Sequence, residues 1–361
     1  MLSSIIAIEN QKGNPMKKLR KILFIFLLTI IALVAIVLLI RFINGQQNKK
    51  LSEFEPDDYL SKLYEGVDHA NPLESNIKGV TVKELKGNYI NGYHLLPDKI
   101  THKGAIIVFG GSEGSSNFGE AAVIAKQGYE VYSMYFFGRE NQQPELINVP
   151  LDFFEELSAH IQKEAISAKP LTLYGGSKGA ELSLLLASKY PEQVDNLVLY
   201  APSAYAFQGI SYTDRTPYSS WTYGHESVPY ISTMPESHVM TSFFMNMLLN
   251  KPMTLLPLYE SAVKIAENKN EATINLNTVN AKILIFAGGQ DQMWQSATMA
   301  KMIDTNYSGD CELHIFENAG HLFLGPSVAN NFALGGEYQA NRAAKEESDK
   351  ILFSKLEEWT K

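Results

Sequence analysis

The sequence predicts an α/β protein: a doubly wound, mostly parallel sheet with an aromatic-rich insertion after its sixth strand, preceded by one transmembrane helix. Three observations predict it. Apolar runs of strand length recur along the chain, amphipathic stretches of helical length lie between them, and an unbroken apolar segment sits near the N-terminus. With 45% hydrophobic and 19% charged residues, the chain has the makeup of one that buries a core.

The N-terminal segment comes first in the chain. Ile22 to Ile40 is a run of nineteen residues in which only Thr29 is polar. At 1.5 Å per residue it extends about 28 Å, close to the hydrocarbon thickness of a bilayer. The run passes into Arg41-Phe42-Ile43 without a small-residue cleavage pattern, so it reads as an uncleaved signal anchor over 22–40. Lys17, Lys18, Arg20 and Lys21 outweigh Arg41 near the membrane. Residues 1–21 are therefore expected in the cytoplasm and the body outside. Met16, just ahead of the basic cluster, is a second candidate start. Residues 41–77 are polar and read as a stalk, which leaves 78–361 as the folded domain.

Within that domain "GVTVKEL" and "NYINGYHLL" read as short alternating strands. "GAIIVFGG" (104–111), "YEVYSMYFF" (129–137), "LTLYGG" (171–176), "DNLVLYAP" (195–202), "AKILIFAGG" (281–289) and "CELHIFEN" (311–318) follow. Several are continuously apolar, as strands buried on both faces must be. Helical patterns fall at 118–127, 151–166, 178–189 and 296–304, and the chain ends in a helix that buries Ile351, Leu352, Leu356 and Trp359. Residues 203–275 break the alternation and are rich in Tyr, Phe, Met and Trp. They read as a cap-like insertion whose aromatics either line an apolar pocket or form a small core of their own.

Charge and cysteine usage narrow the function. The chain carries −8 overall but +7 in its first fifty residues, so the remainder carries −15. A body this acidic repels phosphate backbones, which argues against nucleic acid as a partner. The single Cys311 permits no internal disulfide and reads as a small core residue. The histidines lack metal-ligand spacing beside acids, and the chemistry below calls for no metal or cofactor.

That chemistry centres on Gly175-Gly176-Ser177-Lys178-Gly179, set between the strand "LTLY" and the helical "AELSLLLAS". In a G-x-S-x-G elbow the turn is so sharp that only small residues fit two before and two after the serine. The serine then stands at a helix N-terminus, where free N–H groups favour a developing oxyanion. A serine hydroxyl becomes a useful nucleophile when a histidine takes its proton and a carboxylate orients that histidine. Asp291 follows the strand "AKILIFAGG", and His321 follows "ELHIFEN", in the order Ser, Asp, His. Ser177, Asp291 and His321 are accordingly read as a catalytic triad. Lys178 and Gly111, with Ser112 beside it in "VFGGSEGSSNFG", are read as the oxyanion hole.

Taken together these segments resemble the C-terminal catalytic domain of the acyl-CoA thioesterase and bile acid-CoA:amino acid N-acyltransferase family. "GGSKGAELSLLLAS" is similar to its nucleophile segment, "GGQDQMWQS" to its acid segment and "NAGHLFLGP" to its histidine segment. "NVPLDFFEEL" resembles the helix before the nucleophile strand, and "LGGEYQANRAAKEESDKILFSKLEEW" the terminal helix. The resemblance spans roughly 80–361 and implies an α/β-hydrolase fold and a serine acyl hydrolase acting on an ester or thioester. The chain departs from the family in three places. An anchor and stalk stand where the family has a β-sandwich, Gln290 replaces a second carboxylate, and "LFLGP" lacks the acidic residue after the histidine. An outward-facing body also argues against a CoA thioester, whose pool is cytoplasmic. An acyltransferase or peptidase with the same triad, and a non-catalytic envelope-anchored binding protein, are the alternatives.

Overall fold

The apolar run near the N-terminus forms part of one long helix, α1 (Pro15–Ser52), in the computed structural model, which describes residues 15–361 except Pro56, Arg215 and Pro235. Residues 1–14 of the expected cytoplasmic segment lie outside the described residues. α1 is long and apolar enough to cross a membrane, and none of its apolar stretch is buried by protein.

The segment read as a stalk is a strap held against the body. Its short helix α2 (Asp58–Leu63) buries Leu60, and Asp57 takes both arms of a fork from Arg342. The Tyr59 hydroxyl donates to Asp349 at 2.7 Å, and that of Tyr64 donates to Glu120. Glu120 and Asp349 flank the buried Lys345 at 2.9 and 2.7 Å. The polar composition that read as a stalk thus serves a buried charge cluster, since a buried ammonium must be paired.

Eight strands then make one sheet. They are β1 (Val80–Lys86), β2 (Asn91–Pro97), β3 (Ala105–Phe109), β4 (Glu130–Tyr135), β5 (Leu171–Gly176), β6 (Asn196–Tyr200), β7 (Lys282–Gly288) and β8 (Cys311–Phe316). Their order is β1-β2-β4-β3-β5-β6-β7-β8. β2 is antiparallel to both its neighbours and the rest are parallel. Alternation sends Ile106 and Val108 of β3 to one face and Ile107 and Phe109 to the other, and each pair joins a separate hydrophobic cluster.

Helices cover both faces: α3 (Phe118–Lys126), α4 (Phe153–Glu164), α5 (Lys178–Lys189), and later α9 (Ser296–Asn306) and α10 (Tyr338–Trp359). α4 buries Phe153, Phe154, Leu157 and Ile161, spaced as one helical face requires. The insertion between β6 and β7 contains α6 (Ser237–Leu248), α7 (Leu256–Ile265) and α8 (Lys269–Ala272). Among the described residues it forms no separate core. Phe207, Trp221 and Tyr259 join the main cluster, and Phe207 stacks on Trp294 with ring centroids 5.8 Å apart. α6 is the exception, with no buried residue.

Candidate active site

Gly176, Tyr200 and Phe286 stand side by side at the carboxyl ends of β5, β6 and β7. Loops leaving parallel strands at one edge must share that edge, and the predicted site residues lie in such loops. Ser177 occupies the turn from β5 into α5 with φ 55° and ψ −120°. A non-glycine residue is held there only when its surroundings impose it. The surroundings are the flanking glycines. A Cβ on Gly175 would lie 2.1 Å from the Gly179 carbonyl oxygen, and one on Gly179 would lie 2.0 Å from that of Gly110. The Ser177 N–H is tied at 2.9 Å to the Tyr200 carbonyl.

Asp291 and His321 meet. His321 Nδ1 lies 2.7 Å from Asp291 Oδ2, and both side chains are buried. A carboxylate oxygen facing Nδ1 accepts from it, so in the neutral tautomer that this contact favours the proton sits on Nδ1 and Nε2 is left as an acceptor. The carboxylate is fully engaged. Oδ1 accepts from the N–H groups of Met293 (2.8 Å) and Trp294 (3.2 Å), and Oδ2 accepts also from the Ser296 hydroxyl (2.6 Å). The Trp294 indole packs edge-on against the imidazole at 5.9 Å. No hydrogen bond joins the Ser177 hydroxyl to His321 among the described residues.

The histidine loop is braced from α10. Asn341, fully buried, accepts the Gly320 N–H at 2.8 Å and donates to the carbonyls of Gly325 and Gly335. The His321 N–H donates to the Leu334 carbonyl at 2.7 Å. Gly335 and Gly336, both at positive φ, bridge to Asp291 and Ala319, so the lead into α10 clasps both loops. Neither Ser296 nor Asn341 was identifiable from the sequence as a supporting residue. Ser296 follows the acid by five positions at a helix start, which is the available signal.

The expected oxyanion donors are placed unequally. Lys178 opens α5, so its N–H has no intrahelical partner. Gly111 lies against the nucleophile, with an added Cβ 3.5 Å from that of Ser177. Its N–H, however, donates to Glu113 Oε1 at 3.0 Å, and the same oxygen takes the Ser115 hydroxyl at 2.6 Å. The Ser112 N–H has no acceptor among the described residues.

Lys178 has a second role that its position after the serine does not announce. Its side chain is buried and its ammonium donates to Glu181 (2.9 Å), Ser220 (2.8 Å) and the Phe207 carbonyl (3.3 Å). Glu181 Oε1 also accepts from the Trp221 indole at 2.6 Å and the Phe207 N–H at 3.1 Å. Burial pushes the Glu181 carboxyl up and the Lys178 ammonium down. The pair pins the elbow helix to the insertion. Cys311 opens β8, and burial, followed by Asp304, raises its thiol to about 12, so thiolate is scarce.

The strand order, with a strained serine at the fifth strand's carboxyl end and an acid and histidine after the seventh and eighth, defines an α/β-hydrolase. The family model described as "BAAT / Acyl-CoA thioester hydrolase C terminal" matches residues 149–350, and the chain belongs to that family. Human acyl-coenzyme A thioesterase 6 is 23% identical over 253 residues, covering 67% of this chain and 55% of the relative. Mouse mitochondrial acyl-coenzyme A thioesterase 2 is 23% identical over 312 residues, covering 82% and 63%. Rat acyl-coenzyme A amino acid N-acyltransferase 2 is 28% identical over 138 residues, covering 38% and 33%. The chain thus spans less than two thirds of the length of each of these relatives. Among solved structures, a bacterial heroin esterase is similar at 13% identity and a TM-score of 0.48, covering 79% of this chain and 86% of that one.

Proposed function

We propose that this protein is a membrane-anchored serine acyl hydrolase. His321 Nε2 takes the proton of Ser177 as its hydroxyl attacks an acyl carbonyl, and Asp291 holds the imidazole and stabilises the imidazolium. The N–H of Lys178, with one from Gly111 or Ser112, receives the oxyanion. The tetrahedral species collapses by expelling the leaving group, which takes the proton from His321. Water then attacks the acyl-serine, with His321 again as base, and releases the acid. The observation that carries this reading is the 2.7 Å contact between buried His321 and Asp291 on the sheet edge that holds the strained Ser177. Family membership supports thioesterase or esterase chemistry, and an outward-facing body favours an oxygen ester over a CoA thioester. Serine esters react with amines less readily than thioesters do, so water is the favoured acceptor over the amino-acid acceptors of the transferase relatives.

A fluorophosphonate probe is expected to label the wild type and to leave Ser177→Ala unlabelled. Full labelling of the alanine variant would remove Ser177 as the nucleophile. Labelling should also report on Glu113. Its carboxylate occupies the Gly111 N–H and places negative charge where an oxyanion forms, so Glu113→Ala is expected to be labelled faster, on the order of tenfold. An unchanged rate would show that Gly111 is not the second donor.

A further inference from the structure

α6 is an anomaly in a folded body. Phe244, Met245, Met247 and Leu248 are each about half exposed at its C-terminal end, and His238 is its only ionisable residue. A contiguous exposed patch of this kind marks a contact surface. What it contacts follows from its junction with α1. Arg41, the first residue past the apolar run, donates to the carbonyls of Met247 and Leu248 at 3.1 and 2.6 Å. Asn44 donates to the Leu249 carbonyl at 2.7 Å, and Asn48 to that of Asn250 at 2.9 Å. These carbonyls belong to the last turn of α6 and the two residues after it, where helix geometry supplies few partners; that of Met247 also accepts the Asn250 N–H at 3.2 Å. The guanidinium there also complements the negative end of the α6 dipole. The exposed patch is therefore fixed beside the point where α1 would leave the bilayer. Exposed Lys49, Lys50 and Lys251 lie close by, as cations facing lipid headgroups do.

We infer that α6 is an interfacial helix that lies in the outer surface of the bilayer beside α1 and turns the candidate active site towards the lipid. The chain between α6 and the site is short and hydrogen-bonded throughout. Thr254 and the N–H groups of Leu255 and Leu256 hold the Gln292 carbonyl, next to Asp291. The Met253 N–H donates to the Asn331 carbonyl, and the Asn331 side chain accepts from Asn48 of α1. The edge bearing Asp291 is thus anchored to the same turn of α1 as α6. The inference rests on the hydrolase reading for its consequence: the substrate is an acyl ester drawn from the bilayer.

The test uses the full chain with Cys311→Ser, reconstituted in vesicles of phosphatidylcholine and phosphatidylglycerol. An environment-sensitive fluorophore is placed through Phe244→Cys, Met247→Cys, Leu33→Cys or Ile166→Cys, the last on the opposite edge of the sheet. Positions 244 and 247 are expected to be quenched by a nitroxide shallow in the acyl region and protected from aqueous iodide. Position 33 should be quenched by a deep nitroxide, and position 166 by iodide alone. Iodide quenching at 244 and 247 with lipid quenching at 33 would overturn the inference, and so would iodide quenching at 33. In Phe244→Glu/Met247→Glu the ratio of vesicle-ester to soluble-ester turnover should fall roughly tenfold; an unchanged ratio counts against bilayer delivery of substrate. Full probe labelling of Ser177→Ala would defeat the hydrolase reading but leave the depth pattern standing, so the two failures are distinguishable.

Discussion

Asp291→Asn is expected to lower turnover of a soluble p-nitrophenyl ester by about 10⁴-fold with the fold intact. The amide keeps an oxygen for the Met293 and Trp294 N–H groups, and the Ser296 hydroxyl can rotate to accept where it now donates. The new NH₂, however, would face His321 Nδ1 as a donor. The imidazole would have to accept there and carry its proton on Nε2, directed at the nucleophile it should deprotonate. Thermal unfolding of the variant should match the wild type. A rate within tenfold of wild type would dismiss Asp291 as the orienting acid.

Lys178→Met should act on stability instead. It leaves the Glu181 carboxylate buried without its cation, a change that typically costs about 3–5 kcal/mol. The loss should grow with pH. Burial raises the Glu181 carboxyl in the folded state, so the folded protein holds a proton that the unfolded chain releases above its own carboxylate value of about 4.3. Stability of the variant is therefore greatest below that value and falls as pH rises towards neutrality. Lys178→Met/Glu181→Gln should recover most of the loss by removing the uncompensated charge. Urea melts at pH 5 and pH 7.5 would check both points. Equal stability of the single variant and the wild type at neutral pH would refute the role given to the pair.

Much of the fold could be read along the chain because strands and helices of a parallel sheet declare themselves locally. "AIIVF" and "LVLY" are buried on both faces and so are continuously apolar, whereas "TVKEL" at the sheet edge is mostly exposed and mixes polar with apolar residues. The order of Ser177, Asp291 and His321 was legible for the same reason, since each follows its own strand. Glu113 was not. It sits in a glycine-rich loop whose residues suit a turn and a site equally, and only coordinates reveal that its carboxylate folds back onto Gly111. Glu181, three residues after Lys178, has the spacing of any helical ion pair. Burial beneath Trp221 and Phe207, both distant in sequence, turns it into a brace. The strap over 54–77 was obscured because polar side chains read as solvated until Arg342 and Lys345 are seen beneath them.

The sequence by itself determined the sheet, the elbow turn and the long apolar helix, because each depends on interactions among residues close along the chain. Periodicity, small residues around Ser177 and an uninterrupted run from Ile22 to Ile40 suffice for these. Only the tertiary structure decided what the insertion does, how the strap lies, and that α6 shares a junction with α1. Those outcomes depend on contacts between residues far apart along the chain, from Lys178 with Ser220, 42 positions apart, to Arg41 with Leu248 and Asp57 with Arg342, 207 and 285 apart. Such pairings leave no local pattern, because a polar side chain looks the same whether it will meet water or a distant partner.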